Sequence, residues 1–173
     1  MADVRCDHTF DCTPEVFWEV FFDDTIMDGI MAKVGVKDRK LLQDETRGDV
    51  RHRRMREKPE RDVPAPIKKI TGGDLTYTEV QRFYAKDSRL DFDIEPAVMK
   101  EKTKIAGTMR VTAEGAGRCR RVMNATVKVD IMIVGGMIAD FIGAQIKDGY
   151  DKSVPPMREA IKAHLARKQA PQP

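Results

Sequence analysis

Seven residues decide the fold class: Arg89-Leu90-Asp91-Phe92-Asp93-Ile94-Glu95. Leu90, Phe92 and Ile94 alternate strictly with charged neighbours, which is the pattern of a strand with one buried face. Upstream, residues 75–84 (Leu-Thr-Tyr-Thr-Glu-Val-Gln-Arg-Phe-Tyr) are rich in strand formers. Only a polar hairpin, Lys86-Asp87-Ser88-Arg89, separates the two segments. Downstream, Ile105, Gly107, Met109 and Val111 share one phase, Gly115-Ala116-Gly117 is a hairpin turn, and Cys119, Met123, Ala125, Val127, Val129 and Ile131 share a phase in the strand after it. Connections this short join antiparallel neighbours.

Further out, Leu41 and Leu42 mark one more strand, and Gly48 opens another through Arg51-His52-Arg53-Arg54-Met55-Arg56. Pro59, Pro64 and Pro66 make a loop, with a short turn at residues 67–70. Near the start, residues 4–10 alternate as a half-buried strand. Thr13-Pro14-Glu15 then opens a helix, with Thr13 as N-cap and Pro14 in the first turn. A second short helix is expected over residues 24–33, ended by Gly35. After Gly135-Gly136 the period becomes helical, with Ile138, Phe141, Ile142, Gln145 and Ile146 on one side to about residue 152. Pro155-Pro156 is expected to break or kink that helix. A second piece carrying Met157, Ile161 and Leu165 would follow, free to act as a gate. The reading is α+β: about seven antiparallel strands, two short helices after the first strand, and a long C-terminal helix covering the apolar face. One domain over residues 1–168 and a disordered tail over 169–173 are expected.

This layout resembles the helix-grip fold of the START-like (SRPBCC) superfamily, and within it is similar to bacterial DUF2505-like and polyketide-cyclase-like proteins. The resemblance rests on Phe10 with Thr13-Pro14-Glu15-Val16-Phe17-Trp18, on residues 48–54, on Pro64-Ala65-Pro66-Ile67, on Tyr77-Thr78-Glu79, and on Gly135-Gly136 opening a helix that reaches Tyr150. It implies a curved sheet wrapped on the C-terminal helix with an apolar tunnel between them. Members bind lipids, sterols or polyketides, and a minority catalyse aromatisation or cyclisation.

Composition narrows the function classes. The 173 residues carry 31 Lys+Arg and 28 Asp+Glu, a net charge of +3. The longest apolar run, residues 131–139, is far short of the ~20 residues that span a bilayer. Acidic and basic residues interrupt the first dozen positions where a signal peptide would need an apolar core. Three scattered cysteines form no disulfide framework. A cytoplasmic, reducing location is the expectation. Cys6, His8 and Cys12 are close in sequence but lack the further ligands zinc needs, so no metal and no cofactor are expected. Ser88 and Ser153, the two serines, sit beside no histidine, and no catalytic residue is assigned.

Arg51, Arg53, Arg54, Arg56 and Lys58 place cations on both faces of one strand. They are either ion-paired with acids on neighbouring strands or in contact with an anion or lipid headgroup. Nucleic acid is not expected, because the chain is nearly neutral and the run lacks interleaved aromatics. Glu79 and Gln81 share a face with Tyr77 and Phe83. If that face is the inner one, polar groups stand in an apolar surface and need a ligand, water or an arginine such as Arg54. The expected ligand-binding set is Tyr77, Glu79, Phe92, Met109, Met123, Ile138, Phe141 and Ile142, with Arg54 and His52 at the entrance. The expected function is non-catalytic binding or transfer of a hydrophobic, lipid-like ligand, with transient contact to an anionic membrane surface. The alternatives are a polyketide cyclase or aromatase using Glu79, His52 or Tyr77, and a protein-interaction module.

Overall fold

Strict alternation over residues 89–95 becomes the middle of one antiparallel sheet. The computed structural model describes residues 1–171. Within them the order is β1 (Ala2–Phe10), α1 (Pro14–Phe21), α2 (Asp24–Lys33), β2 (Val36–Arg47), β3 (Val50–Pro59), α3 (Ala65–Thr71), β4 (Tyr77–Tyr84), β5 (Arg89–Pro96), β6 (Thr103–Ala113), β7 (Cys119–Val129) and α4 (Gly135–Gln169). The seven strands lie in the order β1-β7-β6-β5-β4-β3-β2, so hairpin neighbours pair throughout and β1 closes onto β7.

Register carries the buried phase from strand to strand. Leu90 faces Met109, Ile94 faces Ile105, and Met109 faces Met123. Phe92 faces Gly107, where a Cβ would lie 2.4 Å from the Phe92 ring and 2.7 Å from the Asn124 carbonyl oxygen. Glycine is therefore what lets the ring lie flat on the sheet.

The helices start where the sequence dictates. Thr13 Oγ1 accepts the Val16 N–H at 3.3 Å and Asp23 Oδ1 accepts the Ile26 N–H at 3.0 Å, each satisfying an orphan donor. The segment expected as a short turn is a helix, α3, ended by left-handed Gly72. Leu41 and Leu42 lie on edge strand β2 at a register irregularity and are exposed rather than core.

α1 closes one end of the concave face. Phe17, Trp18 and Val20 are buried with Phe10, Met109, Met123 and Cys119. The Trp18 ring lies 4.6 Å from that of Phe83 and 5.7 Å from that of Phe22, centroid to centroid, and its indole N–H donates to Ser88 Oγ at 2.8 Å. Each such fully buried side chain is worth about 1.5–3 kcal/mol.

The C-terminal helix departs from expectation. α4 runs unbroken from Gly135 through Gln169 across Pro155 and Pro156. Two lost N–H donors are outweighed by anchoring on both sides of them: Ile138, Ala139 and Val154 before, Met157 and Ile161 after, all buried. Outer contacts hold the second half as well. Arg158 donates to the Thr9 carbonyl at 2.9 Å, and Glu19 accepts from His164 at 2.8 Å and Lys168 at 2.5 Å. Helix extends one residue into the expected tail, at Gln169, and residues 172 and 173 of that tail lie outside the described residues.

Candidate functional site

Because α1 fills one end of the concave face, the space left between sheet and α4 lies at the other end. It is a cavity of ≈ 240 Å³. The floor is Tyr77, Glu79, Gln81, Phe92, Ile94 and Ile105 from β4, β5 and β6. The roof is Ile138, Phe141, Ile142, Ile146 and Tyr150 from α4, and α2 and α3 close the sides with Ile30 and Ile67. The volume falls just under the ~300–1,000 Å³ usual for small-molecule pockets.

Polar groups interrupt this lining; two places hold buried charge, while Arg61 at the side pairs with Asp148 at 3.1 Å. At the first, on β3 and β4, Glu57 is buried and its Oε2 accepts the Tyr77 hydroxyl at 2.5 Å. Arg39 Nε stands 3.4 Å from Glu57 Oε1, while Arg39 Nη1 reaches Asp24 at 3.1 Å and Asp28 at 2.7 Å. Glu79, half-buried at the cavity floor, accepts from Gln81 Nε2 at 2.7 Å. Burial first, and then the charge of Glu57, push the Glu79 carboxyl up to about 7. Burial also raises Glu57 and Tyr77. The Glu57 charge opposes ionisation of Glu79, and Arg39 is already shared with Asp24 and Asp28, so the pair favours holding a proton near neutral pH. The site can donate as well as accept a hydrogen bond.

The second place is Arg121 on β7, only 4% exposed. All three of its hydrogen bonds leave from Nη2: to His8 Nδ1 at 3.0 Å, to the Tyr150 carbonyl at 3.2 Å and to Ser153 Oγ at 3.5 Å. Arginine can only donate, so His8 Nδ1 accepts and Nε2 carries the proton toward Asp151 Oδ1 at 2.8 Å. Burial first, then the Arg121 charge, hold His8 below its ordinary range and so neutral in this arrangement. The guanidinium lies over the rings of Phe10 and Tyr150, 5.1 and 5.0 Å from their centroids.

Six of the ten expected site residues meet at this cavity: Tyr77, Glu79, Phe92, Ile138, Phe141 and Ile142. Met109 and Met123 share the right sheet face but lie under α1, in the filled end, so they do not line the cavity. His52 and Arg54 point to the other side of the sheet. Strand parity gives the inner face of β3 to Arg53, Met55 and Glu57, all buried, and leaves Arg54 to pair with Glu95 at 3.4 Å. The partner expected of Arg54 for Glu79 is therefore absent. The basic run divides accordingly. Arg51 and Arg53 turn inward onto Asp44 and Asp24 at 2.6–2.8 Å, and Arg53 is 1% exposed.

Sequence reading missed Arg39, Glu57 and Arg121. The last two were detectable, because each has the buried parity of its strand: Glu57 with Met55, Arg121 with Met123. Among the described residues no group of three or more His, Cys, Asp or Glu side chains is placed to hold a metal ion. No helix among them is long and apolar enough to cross a membrane.

The chain belongs to the family described as "Protein of unknown function (DUF2505)", whose model matches residues 5–160. No curated protein matches the sequence. Among solved structures it is similar to TTHA0849 from Thermus thermophilus, with TM-score 0.68, 16% identity and coverage of 94% of this chain and 99% of that one. The Zhui aromatase/cyclase from Streptomyces sp. R1128 gives 0.63 at 14% identity, covering 98% and 96%. A START superfamily protein from Mycobacterium smegmatis gives 0.61 at 11% identity, covering 93% and 97%. The fold is thus the helix grip of START-like proteins: a curved seven-stranded antiparallel sheet against a long C-terminal helix.

Proposed function

We propose that the protein binds a hydrophobic small molecule in the cavity between sheet and α4 and carries it without chemical change. The observation that supports this reading is the cavity itself: unfilled space inside the fold, walled by Phe92, Ile94, Ile105, Ile138, Phe141 and Ile142. Alkyl or ring carbon placed there gains about 0.8 kcal/mol per buried CH₂, and the few polar groups set orientation. Transient contact with an anionic membrane belongs to the same proposal. Its support is the turn between β7 and α4, where Met132 and Ile133 are 87% and 97% exposed, and where the Asp130 N–H, just before them, donates to the Lys102 carbonyl at 2.7 Å in the lysine-bearing turn at Lys100–Lys102.

Native mass spectrometry of the purified protein, followed by organic extraction, tests the carrier reading. A bound mass that extraction removes, and that Ile94→Trp prevents from binding, is the expected result. Wild-type protein that takes up neither a native ligand nor any apolar probe would overturn it.

A second reading is an acid/base enzyme of the cyclase class, the activity printed for the Zhui neighbour. It is favoured by one observation, the Glu57–Tyr77–Glu79 cluster, whose carboxyls hold a proton near neutral pH at the cavity wall. Turnover of a polyketide substrate that Glu79→Gln abolishes while leaving its binding intact would decide for the enzyme.

A further inference from the structure

Three arginines line the cavity, and two of them are neutralised. Arg39 pairs with Asp24, Asp28 and Glu57, and Arg61 pairs with Asp148 at 3.1 Å. Arg121 is different. Among the described residues no carboxylate stands within ion-pair distance of it, and its Nε is buried with no hydrogen-bond partner. Asp151 lies one neutral imidazole away and is itself bound to Lys147 at 2.6 Å. Taking a guanidinium out of water without a counter-charge is costly. Here the cation is kept at the cavity wall by two aromatic faces and a fixed Nη2, with Nε left over.

We propose that Arg121 is the anion-binding residue of the cavity, and that the ligand is an amphipathic monocarboxylate whose carboxylate pairs with this guanidinium while its apolar part lies between Phe92, Ile105, Ile138 and Ile142. This rests on the carrier reading above and adds the ligand's chemical class. Charge sets the class. One unpaired cation balances one negative charge. A phosphate dianion would bring a second charge into a space already bordered by Glu57 and Glu79, with no further free cation among the lining residues. Position sets the orientation. The two acids occupy the β3–β4 wall, so the anionic end goes to β7. Tyr150 adds to the site: its carbonyl, not its hydroxyl, takes the contacts with Arg121 and Ser153, and the residue lines the cavity. Volume sets the size. At ≈ 240 Å³ the cavity suits a medium-chain acid rather than a long-chain one.

Calorimetric titration with decanoate, 1-decanol and decyl phosphate tests this. Wild-type protein is expected to bind decanoate at least tenfold more tightly than decanol, and decyl phosphate no better than decanol at pH 8. In Arg121→Gln the decanoate preference should vanish with decanol affinity within twofold of wild type. Arg121→Lys, which keeps the charge, serves if the Gln variant does not fold, and should weaken decanoate at least threefold with decanol unchanged. Decanol bound without any carboxylate preference, or a preference that survives loss of Arg121, overturns the assignment and leaves the carrier reading standing. If neither decanoate nor decanol binds, both fall together.

Discussion

At Glu79 a carboxyl has been moved out of water with no cation touching it; its one direct hydrogen bond comes from the Gln81 amide. The folded state therefore holds a proton that the unfolded chain has already released. Between the ordinary glutamate value and about 7, the native state binds more protons than the unfolded one, so stability falls as pH rises through that window. The expected loss is on the order of 2 kcal/mol, reduced from the full shift because Glu79 borders open space. Urea denaturation at pH 5 and pH 8 should show it, and Glu79→Gln should flatten the difference; an unchanged slope in the variant would mean that another group titrates. Gly107 is a second residue whose effect follows from its immediate neighbours. Adding a methyl there drives the Phe92 ring and the Asn124 carbonyl apart. Gly107→Ala should cost about 1–3 kcal/mol, the usual toll of overpacking. It should also change ligand affinity, since Phe92 is cavity wall. A variant as stable as wild type would show that the ring relaxes freely.

α4 is the element where local rules and tertiary context disagree. Two consecutive prolines are a breaker by every local criterion, yet buried side chains before and after them keep the helix on the sheet. Pro155 is exposed, so its replacement touches no core. Pro155→Ala restores an N–H to the carbonyl one turn back and should stabilise the protein by about 2 kcal/mol, the helix-interior difference of ~3 less the chain freedom regained on unfolding. A chemical-denaturation midpoint that falls instead would show that the helix needs the proline geometry there. With the helix continuous and Glu19, Thr9 and the apolar stripe holding its second half, amides of residues 160–166 should exchange within tenfold of those of 138–146. Exchange a thousandfold faster would restore the gate. The strands, by contrast, were legible to within about three residues at their ends; Pro59 falls inside β3 rather than in the loop, and Ile131 lies beyond β7. Alternation in β5 and β6 and the caps of α1 and α2 are local signals that the tertiary structure does not override.

Across the whole molecule, parity told which side chains face inward but not which part of the inner face is filled. That is why Tyr77, Phe92, Ile138, Phe141 and Ile142 were readable as lining while Met109 and Met123 were placed wrongly: the plug, α1 with Trp18, comes from far away in sequence. Buried charge was missed for a related reason. Glu57 and Arg121 carry the inward parity of their strands, but polar residues at such positions read as breaks in a pattern until the packing supplies their surroundings. The exposed tip of Met132 and Ile133 gives a molecular-scale prediction. Replacing both with Ser should lower sedimentation with anionic vesicles several-fold and leave decanoate binding unchanged, because the tip lies outside the cavity lining. Equal sedimentation would remove the membrane from the proposed role. The pairing of β1 with β7 has a consequence of another kind. Ala2 meets Val127, positions 125 residues apart, so β1 must wait for β7, the last strand of the sheet to be made. At about 5–20 residues per second of synthesis, it waits roughly 6–25 s beside the ribosome with its hydrogen-bonding edge unpaired. Strands β2 to β6 can form their hairpins as they emerge, but the sheet completes, and α4 finds its seat, only after β7 has been made. Until β7 emerges, the nascent chain is thus open to chaperones and to wrong strand partners along the unpaired edge of β1.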